Sequence, residues 1–207
     1  MLEFTERMNV RYPNFLACKQ GFDQIGGYMF LSQIRKRRSI RKYTEQPVET
    51  EKIEQIIETL LRAPTSQGLR PWEFVVVTEK TLLEPLSKLK PHGSAFLKNA
   101  GLAIVICADS STAETWIEDT TIAAIMGQLT AESLGLGSCW VQVRGRNYNS
   151  QQSAEAYIAE LLNIPANLNI ESIISIGYRN EEKPFKKTTD LQYEKVKLNS
   201  YQSLYKP

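Results

Sequence analysis

A single α+β domain is the fold class this sequence predicts, and three observations carry that reading. An apolar stripe at helical spacing is followed by several short runs of consecutive apolar residues of strand length. Further helical stretches alternate with those runs, and no repeat, low-complexity tract or Pro/Gly/Ser-rich linker divides them. At 207 residues the chain is long enough to bury a core without staples, and 42% hydrophobic with 23% charged residues excludes disordered and collagen-like classes.

The elements follow in order. Residues 1 to 28 carry no clean periodicity, and a helix-like segment begins at Met29, so a boundary is expected near Gly26-Gly27. The expected organisation is a peripheral extension over 1–28 and one domain over 29–207. From Thr50, the residues Ile53, Ile56, Ile57, Leu60 and Leu61 form the stripe of an amphipathic helix that ends before Pro64. Glu73 to Glu79 and Leu102 to Ala108 read as buried central strands. Trp116 to Leu134 is the longest helical stretch, and its Ala123, Ala124, Gly127 and Ala131 would admit another helix at close range. A glycine there costs about 1 kcal/mol relative to alanine, which close packing would explain. Strands are expected at Ser138 to Val143 and Ile170 to Tyr178, with a helix around Ala154 to Leu162 between them. The polar tail after Thr188, with Tyr193, Tyr201 and Tyr205, has the character of a segment that wraps a partner.

Twenty-five basic against 23 acidic residues leave a net charge of +2, too small to imply a polyanionic partner from total charge. The longest apolar run, near Leu102 to Ala108, is far below the roughly 20 residues needed to span a bilayer. The acidic start from Met1 to Glu6 lacks the features of a secretory signal, and Cys18, Cys107 and Cys139 show no C-x-x-C spacing, so a cytoplasmic location is expected. His92 is the sole histidine, which excludes a His-rich metal centre and leaves it as a loop residue. Cys107 and Cys139 sit in apolar runs and read as core, as do Trp72 and Trp140. Gly135-x-Gly137 follows a helix instead of a strand, so it is no dinucleotide fingerprint. Glu118 and Asp119 either form an acid/base pair or favour a helix N-terminus.

Two segments invite chemistry. Arg35, Lys36, Arg37, Arg38, Arg41 and Lys42 place six cations in eight positions around Ser39-Ile40. Such density suits a solvated helix end, a nucleic-acid surface, or phosphate capture, in which guanidinium forks and a hydroxyl converge on anionic oxygens. The nucleic-acid reading lacks the further basic stripes and stacking aromatics it would bring. Pro64 to Trp72 is either a surface turn or a strand entrance presenting two hydroxyls, a glycine backbone and one cation.

Arg37-Arg38-Ser39-Ile40-Arg41-Lys42-Tyr43 resembles the Arg-x-Ser-x-Arg/Lys-x-aromatic opening of nitroreductase-family flavoproteins, and Pro64 to Trp72 is similar to their Pro-Ser-Ser-x-Asn-x-Gln-Pro-Trp loop. Ala131 to Trp140 and Ile174 to Tyr178 resemble two later landmarks in the same order, so the likeness runs from 29 to about 200. Gly68 and Arg70 depart from the family's Asn and Gln. The resemblance implies a sandwich with a mainly antiparallel central sheet flanked by helices, in a homodimer intertwined through long helices and exchanged termini. It implies an FMN site in which Arg37, Arg38 and Ser39 hold the phosphate and ribityl chain and Arg41 meets the pyrimidine edge. Pro64, Thr65 and Ser66, with Gly68 and Arg70 beside them, would come from the other subunit. A backbone N–H of Gln142 or Val143 would face flavin N5, and one of Lys183, Lys186 and Lys187 would add a phosphate cation. Catalysis would belong to the flavin, with no side chain as nucleophile. The implied activity is NAD(P)H-dependent reduction of a small-molecule acceptor such as a nitroaromatic or quinone. A flavin-dependent dehydrogenase or dehalogenase, and an FMN storage or sensor module, are the alternatives.

Overall fold

The computed structural model describes residues 30–205. The extension over 1–28, the expected helix start at Met29 and Cys18 lie outside the described residues. Four strands form one sheet in the order β1-β2-β4-β3, with β1 at Trp72–Val77, β2 at Leu102–Asp109, β3 at Gly137–Gln142 and β4 at Leu168–Gly177. Every neighbouring pair is antiparallel. The central pair, β2 and β4, is buried along nearly its whole length; β2 is an unbroken apolar run from Leu102 to Ala108, whereas β4 also buries Glu171, Ser172 and Ser175.

Five α-helices lie among the described residues: α1 over 30–36, α2 at Thr50–Leu61, α3 at Lys80–Leu86, α4 at Trp116–Ser133 and α5 at Ala154–Leu162. Alternate residues of β2 divide the core between two layers. Ala103, Val105 and Cys107 face α3, α5 and the 3-10 turn Ala95–Asn99, whereas Leu102, Ile104 and Ile106 face α2 and α4. In the α2 stripe Ile56 and Leu60 are buried, Ile53 and Ile57 are partly covered, and Leu61 is left exposed. Gly127 has the expected reason: a Cβ there would lie 2.9 Å from Leu60 Cδ2, so the glycine lets α2 and α4 meet. Ser153 caps α5 by accepting the Ala156 N–H at 3.1 Å. Gly135, at φ +78°, ends α4, and the Leu136 N–H returns to Ala131 O at 2.9 Å, a glycine stop of the usual helical kind.

The strands and long helices fall within two residues of their expected bounds. Sequence patterning did not reveal α3 and Ala95–Asn99: one is seven residues long and carries Pro85, the other is a 3-10 turn with no amphipathic period. Trp72 stacks on Phe74 with ring centroids 5.3 Å apart, and Trp140 packs against the α2/α4 layer, so both are packing groups. Cys107 and Cys139 are free and buried; burial pushes the Cys107 thiol up to about 12. His92 is an exposed loop residue. Among the described residues no helix is long and apolar enough to cross a membrane, and no cluster of ligands for a metal ion is present.

Candidate functional site

Residues 37–44 run extended along one end of the sheet. The segment first joins β3, where Ser39 pairs with Ser138 and the Ile40 N–H donates to Ser138 O at 2.9 Å. It then crosses to the end of β4, where the Thr44 N–H donates to Tyr178 O and Asn180 returns its N–H to Lys42 O, both at 2.9 Å. Ile40 and Tyr43 supply the apolar anchors and are buried against Ala100. Two glycines make room for them: a Cβ on Gly137 would fall 2.8 Å from Ile40 Cβ, and one on Gly177 would fall 3.0 Å from Tyr43 Cδ1. The Tyr43 hydroxyl donates to Ile40 O at 2.6 Å and lies 2.7 Å from Ser175 Oγ. Its burial drives its pKa well above the usual tyrosine range.

The chain's later basic stretch clasps this segment. Glu181 Oε1 accepts the Arg41 N–H at 2.5 Å and the Lys42 N–H at 3.2 Å, and it pairs with Lys183 Nζ at 3.2 Å. Lys183 Nζ also donates to Ser39 O at 2.6 Å, and the Arg38 guanidinium donates to Pro184 O. Burial alone would raise the Glu181 carboxyl, but the backbone donors and Lys183 prevail and hold it below the usual carboxylate range. Of the three expected lysines, Lys183 is the one whose ammonium meets the basic segment; Lys186 and Lys187 are exposed. A cavity of about 690 Å³ opens here, with Lys36, Arg38, Arg179 and Lys183 set against Glu181 and Glu182. Arg37, Ser39 and Arg41, the alternate residues of the segment, lie close enough to act on the Cys139 thiol. Burial raises that thiol's pKa despite Arg41, Lys183, Ser39 and Arg37, which all act to lower it. The Arg41 guanidinium also lies 5.8 Å from the Phe96 ring centroid.

Gln142 stands at the other end of β3, an edge strand. The Val143 N–H is taken by Glu171 O at 3.3 Å, so it points into the sheet. Because an antiparallel ladder alternates, the Gln142 N–H and C=O turn to the open edge, where Lys90 Nζ donates to Gln142 O at 2.7 Å. Gln142 is therefore the one of the two expected residues whose N–H can face a ligand. Its side chain is fixed from both sides: Oε1 accepts the Trp140 Nε1–H at 3.0 Å, and Nε2 donates to Arg144 O at 3.1 Å. Behind it the buried Glu171 accepts from Arg144 Nε at 2.6 Å. Four residues, about 13 Å of strand, separate Gln142 from the Ser138 pairing with Ser39.

The loop from Pro64 to Arg70 lies elsewhere. The backbone places Gln67 at φ 52°, Gly68 at φ 70° and Arg70 at φ 50°, and only Gly68 adopts this region without strain. The buried Asp119 carboxylate holds the loop: Oδ1 accepts the Ser66 N–H at 3.0 Å and Oδ2 the Thr115 hydroxyl at 3.1 Å. The role of Asp119 is thus a tertiary tie to the loop. Thr65 Oγ1 accepts the Arg70 N–H at 3.0 Å, while Pro64, Gly68 and Arg70 are exposed. The loop abuts the Asp109 end of β2, through the Asp109 N–H to Pro71 O at 3.1 Å, and the 37–44 segment abuts the opposite end. The eight residues of β2 put about 25 Å between those ends. One chain therefore does not bring the 64–70 loop to the 37–44 segment.

Sequence reasoning missed Lys90 and Glu181. Both act across long separations, 52 residues to Gln142 and 140 to Arg41, so no local spacing marks them.

The profile described as the Nitroreductase family matches residues 34–92 and 84–178. An FMN-dependent nitroreductase of known structure from Clostridium difficile shares 50% identity and superposes with a TM-score of 0.81, over 83% of this chain and 99% of that one. A candidate NADH dehydrogenase/NAD(P)H nitroreductase of Archaeoglobus fulgidus is 35% identical over 164 residues, 77% of this chain and 91% of that protein. An FMN reductase [NAD(P)H] of Bacillus subtilis is 28% identical over 194 residues, 82% of this chain and 74% of that protein.

Proposed function

The chain belongs to the nitroreductase family, and from that premise we propose that it is an FMN-dependent oxidoreductase that takes electrons from NAD(P)H and delivers them to a nitroaromatic, quinone or related conjugated acceptor. One observation supports this most: cations and an outward backbone N–H line a single strand edge, from Ser39 at one end of β3 to Gln142 at the other. Those residues fit a flavin mononucleotide. Arg37, Arg38, Ser39 and Lys183 offer donors suited to a phosphate, Arg41 a cation for the pyrimidine edge, and Gln142 an N–H turned outward by the ladder with β4. When bound, FMN supplies the centre that accepts a hydride at N5 and passes the electrons on.

The protein's own residues bind, orient and exclude water. The ladder with β4 fixes the direction of the Gln142 N–H, so that donor is preorganised and needs no titrating side chain. No separate dinucleotide fingerprint is present in the sequence, which supports one pocket used by donor and acceptor in turn. The functional unit is a homodimer in which Pro64, Thr65, Ser66, Gly68 and Arg70 complete the site of the other copy. The separation of about 25 Å between the 64–70 loop and the 37–44 segment within a chain supports this, as do Ile122 and Ile125, 37% and 40% exposed on α4. The free, buried Cys107 and Cys139 suit a reducing cytoplasm. Removing residues 1–28 should leave the flavin content per chain unchanged, read from visible absorbance.

Anaerobic NADH and NADPH titration tests the activity. Bleaching of a bound-flavin spectrum, its return on adding a quinone, and parallel double-reciprocal lines are expected. A yellow protein that neither donor bleaches would instead favour a storage or sensor module.

A further inference from the structure

Resting on that reading, we propose that a second cavity, of about 380 Å³ and lined by Lys88, Lys90, Lys98 and Tyr148, docks the diphosphate and adenosine of the nicotinamide donor. Its position follows from Lys90, which lines the cavity and also donates to Gln142 O at 2.7 Å. The cavity therefore opens beside the strand edge where the outward N–H lies, and a ligand with its ring at that edge has its tail beside the lysines.

The lining matches such a tail in charge. The lining carries three lysines and one carboxylate, Glu84, which Lys88 pairs at 3.2 Å, and the remaining double positive charge equals the double negative charge of a diphosphate. Lys90 is the most constrained of the three. Burial and the nearby Arg146 disfavour its charged form, and an anion brought alongside would reverse that penalty. Its ammonium spends one donor on Gln142 O and keeps two for phosphate oxygens.

Tyr148 gives the cavity an aromatic wall with a fixed attitude. Its ring stacks on Tyr157 at 4.1 Å between centroids and 11° between planes, and the Tyr157 hydroxyl donates to Pro85 O at 3.1 Å. A platform braced from behind costs little to order, so an adenine ring can stack on its open side. NADH and NADPH share the diphosphate and the adenine, so the site accepts both.

The test uses the full FMN-loaded protein, a Lys88→Ala/Lys98→Ala double variant and Tyr148→Leu. Two reductants are compared: NADH, and dihydronicotinamide riboside, which lacks the diphosphate and adenosine. The ratio of kcat/KM for NADH to that for the riboside should fall about tenfold in the double variant, the loss of about 1.4 kcal/mol of charge-assisted contact. Calorimetric titration with ADP, which involves no turnover, should show about tenfold weaker binding in the double variant and weaker binding in Tyr148→Leu. An unchanged ratio while both reductants still bleach the flavin, or equal ADP affinity in all three proteins, overturns the site and leaves the enzymatic reading standing. If neither reductant bleaches the flavin, the donor reading fails and the site falls with it.

Discussion

The 37–44 segment and the 64–70 loop occupy opposite ends of the same four strands and are anchored by different means. The first is woven into its own chain: backbone bonds to Ser138 and Tyr178, buried Ile40 and Tyr43, and the Glu181 carboxylate fix it. The second hangs on Asp119, with two non-glycine residues at positive φ and most of its surface exposed. Left-handed backbone costs roughly 1–2 kcal/mol per such residue, which a loop bears only when something holds it. The difference teaches that the 37–44 segment is anchored by backbone and core contacts within its own chain, while the 64–70 loop is held chiefly by one carboxylate and leaves most of its surface open.

The largest effect is expected where the segment is packed most tightly. Gly137→Val would drive a side chain into Ile40 and the Arg179 stem, and overpacking of this kind costs about 1–3 kcal/mol. FMN content should collapse while the far-ultraviolet circular dichroism persists; full flavin content would mean that the segment does not hold the cofactor. Next comes Asp119→Ala, which leaves the Ser66 N–H without its acceptor at a cost of about 1–3 kcal/mol. Thermal denaturation should report that loss, and gel filtration should show a weakened dimer with an intact fold.

Glu181→Gln should have the smallest effect and a pH signature. The Glu181 pKa is depressed in the fold, so its contribution is present above the ordinary value of 4.5 and is lost as pH falls through the lower folded value. The unsubstituted protein should release FMN more readily as pH drops below 4.5, a step missing in the variant, which holds FMN less tightly above it. Identical release curves would remove Glu181 from the site.

Much of this was legible in the sequence where local chemistry decides the structure. The α2 stripe, the β2 run and the Trp116 helix follow from periodicity, and Gly127 from the need for a close helix approach. Arg37, Ser39 and Arg41 recur at every second position, the spacing that puts side chains on one side of an extended segment. What escaped depends on pairing between distant residues. The choice between Gln142 and Val143 is set by the ladder with β4, Lys183 is distinguished from Lys186 and Lys187 by a contact 144 residues away, and Lys90 enters through a loop without a motif. The separation of the 64–70 loop from the 37–44 segment follows from their docking at opposite ends of the paired strands, which no local pattern in the sequence marks.

Complementation between two defective chains tests the shared-site account most directly. One chain carries Arg37→Glu with Arg41→Glu, the other Thr65→Glu with Ser66→Glu, and each alone should purify without flavin. A mixed dimer pairs the intact 37–41 segment of the second chain with the intact loop of the first, so it should regain one FMN per two chains, half the unsubstituted content. Mixed dimers that remain colourless, or a monomer of the unsubstituted chain that holds a full complement of FMN, would contradict it.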